Sequence, residues 1–171
     1  PVILSVGSLE ARKDFSTLIR AFSRVRRQRE CRLVILGEGR QRAALLQLAE
    51  SLGVAKDVDL PGYDANPYRY MKRSSVFVLS SHREGSPAVV VEALACGTSV
   101  VSTDCPSGPA ETLQNGKYGS LVPIGEDGPM GEAITATLDD PLSAQFLREA
   151  VEQHRTDLSA EKYLKAMGMP R

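Results

Sequence analysis

The sequence predicts an α/β domain: a Rossmann-like parallel sheet of about six strands, flanked by helices on both faces. Short runs of β-branched residues alternate with longer segments of helical period, which is typical of parallel strands joined by helices. Several runs are apolar throughout, as expected for strands covered on both sides. The length of 171 residues suits a single domain over 1–171, with a core over about 1–140 and C-terminal helices over about 141–168.

The strands and the first helix follow from the spacing of apolar residues. A helix is predicted between the first two strands, because Phe15, Leu18, Ile19, Phe22 and Val25 form one apolar face at helical spacing. The arginines at positions 20, 24, 26, 27 and 29 lie elsewhere on it and are interpreted as a solvated face. The predicted strands are 2–6, 32–36, 58–60, 76–79, 100–103 and 120–122.

The most informative helix is predicted over 88–96. Helices commonly begin with a capping serine followed by a proline at the first helical position, and Ser86 and Pro87 match this pattern. The apolar run that follows indicates a buried helix that ends at Gly97. A second helix is predicted to end at Gly53. The other helical segments are a short one over 67–73 and a polar region after 125, with breaks at 128–129 and 140–141 and a last helix from about 143 into the 150s.

Composition limits the classes of partner. The chain has 21 basic and 21 acidic residues, so no overall field attracts it to nucleic acid or to an anionic membrane. No stretch is long and apolar enough to cross a bilayer. Three cysteines without a C-x2-C pair indicate reduced thiols in a cytosolic protein and no zinc site. The chain opens directly on a strand, without a start methionine or a signal, so it is expected to be a piece of a longer protein.

One rim of the sheet is expected to carry the chemistry. Ligands of open α/β sheets collect outside the carboxyl ends of the strands. The loops at that rim are predicted to begin at Gly7, Gly37, Pro61, Ser80 and Asp104.

Glu84 and Glu92 flank the start of the predicted helix over 88–96. The first turn of a helix leaves N–H groups without partners, here those of Ala88 and Val89, and favours an anion such as a phosphate. A buried Glu92 carboxylate needs partners, and a ribose diol supplies two donors, while Glu84 is placed to accept from sugar hydroxyls. The alternative pairs Glu92 with an arginine and leaves Glu84 in solvent.

The loop after the first strand contains Gly7 and Ser8, followed by Arg12 and Lys13. A lysine there reaches a diphosphate as a compact charge, and Arg12 adds a fork of donors. The alternative is that both cations are ordinary solvated residues of a surface loop.

Two further patterns are weaker. Gly37 and Gly39 open the second loop, but Arg42 replaces the third glycine of a dinucleotide fingerprint, so an NAD site is rejected; the glycines permit a turn near a nucleoside, or simply a turn. Asp57 and Asp59 spell D-x-D, a metal-diphosphate signature in another architecture, but they lie at the strand end opposite the rim. No metal site is therefore predicted.

The two histidines carry little information. His82 precedes Glu84 and either contacts a ligand or is merely exposed or hydrogen-bonded, whereas His154 lies in a late polar segment and carries no signal.

Together these segments resemble the retaining nucleotide-sugar glycosyltransferases of glycosyltransferase family 4, which have the two-domain GT-B architecture. The resemblance runs from residue 1 to about 140. It is carried by 6–9 (VGSL), 13–15 (KDF), 36–39 (LGEG), 84–85 (EG), 92–98 (EALACGT) and 102–109 (STDCPSGP).

The resemblance implies a role for each matching residue. Lys13 would bind the diphosphate and Glu92 the ribose, while Glu84 would bind the sugar, which makes Lys13 and Glu84 the catalytic candidates. The family commonly has an arginine directly after the glycine of the first loop, where this chain has Ser8, and Arg12 is the candidate substitute. The other implied contacts are the backbone of Gly85, Ser86, Pro87 and Ala88 on sugar and phosphate, and Tyr63 and Asp64 at the base.

The resemblance also implies that the chain is the donor-binding half of an enzyme, hardly active without its acceptor half. The donor would be a nucleoside-diphosphate sugar, by default a UDP-sugar, used without cofactor or metal in bacterial polysaccharide or glycolipid synthesis. The protein would be cytoplasmic, touching the inner face of a membrane only through the missing half. The alternatives are a non-catalytic nucleotide-sugar-binding or regulatory module and an epimerase-type domain, the latter disfavoured by the helix between Glu84 and Glu92.

Overall fold

A computed structural model describes residues 1–152, 160 and 163–168, and its centre is a parallel sheet in the order β3-β2-β1-β4-β5-β6. All six predicted strands are confirmed, and the third extends beyond its predicted end to Gly62, so its loop begins at Tyr63 rather than Pro61. The strands are β1 (Val2–Val6), β2 (Arg32–Leu36), β3 (Val58–Gly62), β4 (Val76–Leu79), β5 (Val100–Thr103) and β6 (Ser120–Val122).

Helices cover both faces of the sheet, as predicted. The break predicted at 128–129 is wrong, because Pro129 stands in the first turn of a helix, where an N–H is not needed for an intrahelical bond. The predicted continuation of the last helix through the 150s, and His154, lie outside the described residues. The helices are α1 (Phe15–Arg26), α2 (Arg42–Ser51), α3 (Tyr68–Met71), α4 (Ala88–Ala95), α5 (Pro109–Thr112), α6 (Asp127–Asp139) and α7 (Ala144–Glu149).

Two apolar cores lie on opposite faces of the sheet. Successive residues of a strand point to opposite faces, so Ile3 packs with α1, α2 and α6, while Leu4 packs with α4 and α7. Both residues are fully buried. This double burial is why the strands are apolar at consecutive positions.

The arginines in and just after α1 are not all a solvated face. Arg24 and Arg29 pair with Asp127 and Asp139 of α6, and Arg26 lies 2.9 Å from a carboxylate oxygen of Asp57. Helix α1 packs beside α6, which brings acidic residues that are remote in sequence within reach of the arginines. The prediction is therefore wrong for Arg26 and Arg29, whose side chains are 31% and 29% exposed, whereas Arg24 is paired but still 54% exposed.

Two further findings concern the cysteines and the lengths of the helices. Cys31, Cys96 and Cys105 are free thiols, and burial raises the pKa of each. In the part of the chain that the structure describes, no helix has the length and apolar character needed to span a membrane.

The topology fixes where a ligand crevice forms. Strand β1 lies between β2 and β4, so the chain leaves the sheet centre in opposite directions at this point. Loops from neighbouring strands diverge there and leave a crevice at the carboxyl ends. The loops after β1 and β4 carry Lys13 and Glu84 respectively.

Candidate functional site

A cavity of about 480 Å³ opens at the carboxyl ends of β1 and β2, beside the first turns of α4. Six predicted donor-binding residues line it. The other lining residues come mainly from the strand ends and from the loop before α3, and among them only Val89 was considered from the sequence as a ligand contact, for its N–H. The predicted six are Gly7, Ser8, Gly37, Tyr63, Asp64 and Glu92, and the others are Val6, Leu36, Glu38, Ala65, Pro67 and Val89.

Lys13 and Glu84 form a buried ion pair next to this cavity. The Lys13 Nζ lies 2.5 Å from Glu84 Oε1, and the two side chains are only 10% and 8% exposed. Ser81 Oγ also donates to Oε1, at 2.6 Å. Glu84 is therefore not free in solvent, contrary to the alternative considered from the sequence.

Lys13 and Glu84 can each form further hydrogen bonds besides the one that joins them. An ammonium has three N–H donors and a carboxylate about four acceptor positions. Among the described residues, Glu84 is the one acceptor of Lys13 Nζ, and Glu84 Oε2 accepts no hydrogen bond. Lys13 and Glu84 thus retain free donors and acceptors for a ligand at the rim.

The turn that carries Lys13 is fixed to the loop after β4. Lys13 ends a 3-10 turn, Ala11–Lys13, and its carbonyl accepts from Ser80 Oγ at 2.7 Å. The N–H of His82 donates to the Arg12 carbonyl at 2.9 Å. Asp14 caps α1 through the N–H of Thr17 and also contacts His82 Nε2 at 2.8 Å. His82 therefore has a local partner in the site, although its ring is exposed.

The lysine stem lies directly over the first glycine. A methyl group on Gly7 would lie 3.2 Å from Lys13 Cε, so the absence of a side chain there gives the lysine its path along the loop. Ser8 and Arg12 are exposed, and the Arg12 guanidinium lies 3.9 Å from Glu84 Oε2 with 57% of its side chain exposed. Arg12 is thus close to the pair and free to turn towards an anion.

Two glycines hold the first and second loops in contact. Gly37 has a φ of +144°, and a methyl group there would lie 1.9 Å from the Gly7 carbonyl oxygen. A methyl group on Gly39 would lie 2.5 Å from the Leu9 carbonyl oxygen. The N–H of Leu9 donates to the Glu38 carbonyl at 2.9 Å. Both glycines are required by close approach of backbone to backbone.

The start of α4 differs from the prediction. Pro87 occupies the cap position, no side chain caps the helix, and the Ser86 carbonyl accepts from the N–H of Ala88 at 2.9 Å. The predicted Ser86 cap is wrong, since Pro87 takes the cap position and is buried, with Gly108 of the loop after β5 against its ring. The expectation of a free N–H is thus wrong for Ala88. Across the described chain the N–H of Val89 has no acceptor, so the first turn still offers a donor.

Glu92 lies on the cavity wall and is half-buried. Its carboxylate forms no ion pair with any described residue, and its Oε1 accepts a hydrogen bond from the Tyr68 hydroxyl at 3.3 Å. The alternative in which an arginine neutralises Glu92 is therefore wrong for the described structure. Tyr68 was not identified from the sequence, because nothing in the spacing of α3 indicates contact with α4.

Tyr63 and Asp64 both line the cavity, but only the tyrosine side chain is available to a ligand. Tyr63 is 79% exposed. Asp64 accepts from the N–H of Asn66 at 2.8 Å and pairs with Arg69, and these contacts, the former above all, lower its pKa. The tyrosine ring is thus open to a ligand, whereas the Asp64 carboxylate stabilises its own loop.

The remaining predicted residues lie around the rim. Gly85 and Ser86 are exposed before α4, and a methyl group on Gly85 would meet nothing within 4 Å.

The D-x-D residues lie away from the rim, as predicted. Asp57 and Asp59 are at the amino end of β3 and pair with Arg26 and Arg32. Among the residues described, no cluster of three or more His, Cys, Asp or Glu side chains is arranged to hold a metal ion.

The sheet order, the crevice beside β1 and the helices on both faces define a Rossmann-like domain of the GT-B glycosyltransferase type. The chain belongs to the family Glycosyl transferases group 1, whose model matches residues 1–154. Among curated relatives it is 39% identical over 138 residues to the N-acetylgalactosamine-N,N'-diacetylbacillosaminyl-diphospho-undecaprenol 4-alpha-N-acetylgalactosaminyltransferase of Campylobacter jejuni, covering 81% of this chain and 37% of that protein.

Another relative is the lipopolysaccharide core biosynthesis glycosyltransferase LpsE of Rhizobium meliloti, 34% identical, with 95% of this chain and 50% of that protein covered. The fold matches the galactosyltransferase WaaB with a TM-score of 0.87 at 22% identity, covering 97% of this chain and 48% of that one. It also matches Anabaena HepE in complex with UDP, at a TM-score of 0.85 and 22% identity, covering 98% and 48%. The chain thus spans half the length or less of these proteins.

Proposed function

We propose that this chain is the donor-binding domain of a retaining glycosyltransferase of family 4. It would transfer a sugar from a nucleoside-diphosphate sugar to an acceptor hydroxyl, in bacterial polysaccharide or glycolipid synthesis. The observation that carries the proposal is the buried Lys13–Glu84 pair beside a cavity whose wall presents Glu92 without a cationic partner among the described residues. A cation and a separate unneutralised carboxylate match a ligand that is anionic at one end and rich in hydroxyls at the other.

Each part of the donor has a partner in this arrangement. Lys13 and the free N–H of Val89 are donors for the diphosphate, and Arg12 adds an exposed guanidinium. Glu84 Oε2 accepts from a sugar hydroxyl, and the backbone of 85–88, exposed at Gly85, Ser86 and Ala88, completes that subsite. Glu92 accepts from the ribose diol, and Tyr63 offers a ring face to the base.

The chemistry requires charge stabilisation more than proton transfer by this domain. The bond between the anomeric carbon and the diphosphate oxygen breaks, the acceptor oxygen bonds to the same face of that carbon, and the acceptor hydroxyl passes its proton to an oxygen of the departing diphosphate. Lys13 and the N-terminus of α4 are placed to stabilise the negative charge that develops on the departing diphosphate. No metal or cofactor is required in this scheme.

The other half of the enzyme would supply the acceptor. This chain covers half or less of the length of the similar proteins, which supports an N-terminal acceptor domain outside this sequence. We expect the isolated domain to bind donor with little turnover, and the whole protein to work in the cytoplasm or at the inner face of the membrane. UDP is the expected nucleotide, a choice supported by the UDP complex of HepE.

Calorimetric titration of this chain with UDP, GDP and UDP-sugars tests the proposal. UDP or a UDP-sugar should bind, and Glu92→Ala should weaken that binding by roughly tenfold or more, because a charged acceptor is lost. Arg32→Ala removes an exposed ion pair at the opposite end of the sheet and should leave binding unchanged. If none of the nucleotides binds, the donor-site proposal is wrong.

A second candidate is a non-catalytic nucleotide-sugar-binding module. Ser8 favours it, because the exposed hydroxyl replaces a charged diphosphate ligand of the family. A full-length protein that binds the donor but transfers no sugar to any lipid or saccharide acceptor would support this candidate, whereas measurable transfer that is lost in Lys13→Ala would exclude it.

A further inference from the structure

The Tyr68 side chain connects α3 to the one acidic residue of α4. Its hydroxyl donates to Glu92 Oε1 at 3.3 Å, and no other described residue hydrogen-bonds to this carboxylate. The tyrosine is 48% exposed, so its ring lies along the surface and its hydroxyl reaches the carboxylate at the edge of the cavity. A single contact from outside α4 therefore determines how the Glu92 carboxylate is held.

Without this contact the orientation of the Glu92 carboxylate would be poorly defined. The rest of α4 has the sequence AVVV before Glu92 and ALA after it, so the helix offers no polar side chain to orient the carboxylate. A glutamate has three side-chain torsions, and the last of them is broad. A hydrogen bond to Oε1 restricts the plane of the carboxylate, which a two-point contact with a diol requires.

The hydroxyl orients the carboxylate without consuming its capacity. A carboxylate has about four acceptor positions, so one bond from Tyr68 leaves enough for two ribose hydroxyls. A phenol is neutral, so the negative charge that strengthens hydrogen bonds from the ribose is retained, unlike in an ion pair with arginine. The Glu92 charge in turn raises the pKa of Tyr68, which keeps the phenol protonated as a donor.

We propose that Tyr68 is a positioning residue that orients Glu92 towards the vicinal diol of the nucleoside and so sets discrimination between ribose and 2′-deoxyribose. This inference rests on the proposed function of the cavity as the nucleoside site. Tyr68 acts through Glu92, so its effect should appear only for a ligand that offers both hydroxyls.

The test compares UDP with 2′-deoxy-UDP by calorimetry, in the wild type, Tyr68→Phe, Glu92→Ala and the double variant. Tyr68→Phe should lower the affinity for UDP by about threefold to tenfold, the effect of one hydrogen bond, and leave that for 2′-deoxy-UDP nearly unchanged. In the Glu92→Ala background the second substitution should have no effect. Tyr163→Phe, which removes an exposed hydroxyl outside the cavity, is the matched control.

The possible outcomes separate this inference from the function on which it rests. If the wild type prefers UDP through Glu92 but Tyr68→Phe keeps the same preference, the positioning role is wrong and the donor site stands. Equal loss of affinity for both nucleotides in Tyr68→Phe would assign the tyrosine a purely structural role and also overturn the inference. If the wild type binds neither nucleotide, the proposed function fails and the inference fails with it.

Discussion

The Lys13 ammonium and the Glu84 carboxylate are 2.5 Å apart, although 71 residues separate them in the chain. The contact joins the loop after β1 to the loop after β4, the two loops that diverge at the centre of the sheet. Both charges are nearly excluded from water, so each depends on the other for its stability. The same pair is therefore expected to affect folding and ligand binding.

Removing one member of the pair should destabilise the domain more than removing both. Lys13→Met or Glu84→Gln alone leaves a buried charge without its partner and should lower the free energy of unfolding by about 3–5 kcal/mol. The double variant should lose much less than the sum, as measured by urea unfolding. The exposed pair of Arg32 and Asp59 is the control, and should contribute no more than about 1 kcal/mol. Simple additivity for Lys13 and Glu84 would show that they do not interact in solution.

Gly37→Ala should damage the contact between the first and second loops. The added methyl group would lie 1.9 Å from the Gly7 carbonyl oxygen at a φ of +144°, so the backbone must move. We expect a loss of at least about 2 kcal/mol in the free energy of unfolding. Gly128→Ala is the matched control: its methyl group meets nothing within 4 Å in α6, and it should stabilise the helix by up to about 1 kcal/mol. Equal stability of the two variants would contradict the close approach.

Arg12→Ala should weaken UDP binding if Arg12 replaces the cation missing at Ser8. The loss of one charge-assisted hydrogen bond corresponds to roughly a ten- to hundredfold rise in Kd. Calorimetry at low and high salt should show the affinities of wild type and variant converging as salt screens the exposed guanidinium. An unchanged Kd in Arg12→Ala, beside a weakened one in Lys13→Ala, would remove Arg12 from the site.

Restoring a cation at the second position of the loop provides the complementary test. Ser8 is exposed at the cavity wall, so Ser8→Arg has room for the longer side chain. We expect this substitution to recover the UDP affinity lost in Arg12→Ala, while Ser8→Gln, a polar substitution without charge, should not recover it.

Protonation of Asp64 in acid should destabilise the loop after β3. The lowered pKa of Asp64 means that its carboxylate stabilises the fold above the ordinary aspartate pKa of about 3.9, and that this contribution is lost as the pH falls through the lower folded value. The difference in unfolding free energy between wild type and Asp64→Asn should therefore shrink between about pH 6 and about pH 2. Arg69→Met should weaken this dependence without abolishing it, because the N–H of Asn66 is the largest single cause of the lowered pKa and remains in place. A difference that is constant with pH would contradict the assignment.

Most of the fold could be predicted because its strands and helices are indicated by residues that are close together in the sequence. The apolar runs of β1 to β6 indicate buried strands. The apolar residues from Phe15 to Val25 recur at helical spacing and indicate a helix with one buried face. The errors arose where a proline was interpreted by position alone. Pro129 lies within a first turn and Pro87 lies before one, and only the packing of Gly108 against Pro87 decides the second case.

The candidate site was predictable in part for the same reason. Glu92 stands out as a charge within an apolar helix, and Lys13 follows a strand and a glycine, so each can be selected from its neighbours in sequence. Their partners cannot be selected in this way. Tyr68 and Ser81 are unremarkable in sequence, and each is recognised only by the carboxylate oxygen it contacts.

The sequence by itself determined an α/β domain with a ligand rim at the carboxyl ends of its strands, and named the carboxylates and the lysine on that rim. Tertiary structure alone decided that Glu84 is held by Lys13, that Glu92 meets a tyrosine instead of an arginine, and that three arginines in or just after α1 are paired. The physical reason is that burial and helix period are properties of neighbouring residues. Partner choice depends on distances between segments far apart in the chain, which the order of β1 and β4 in the sheet fixes.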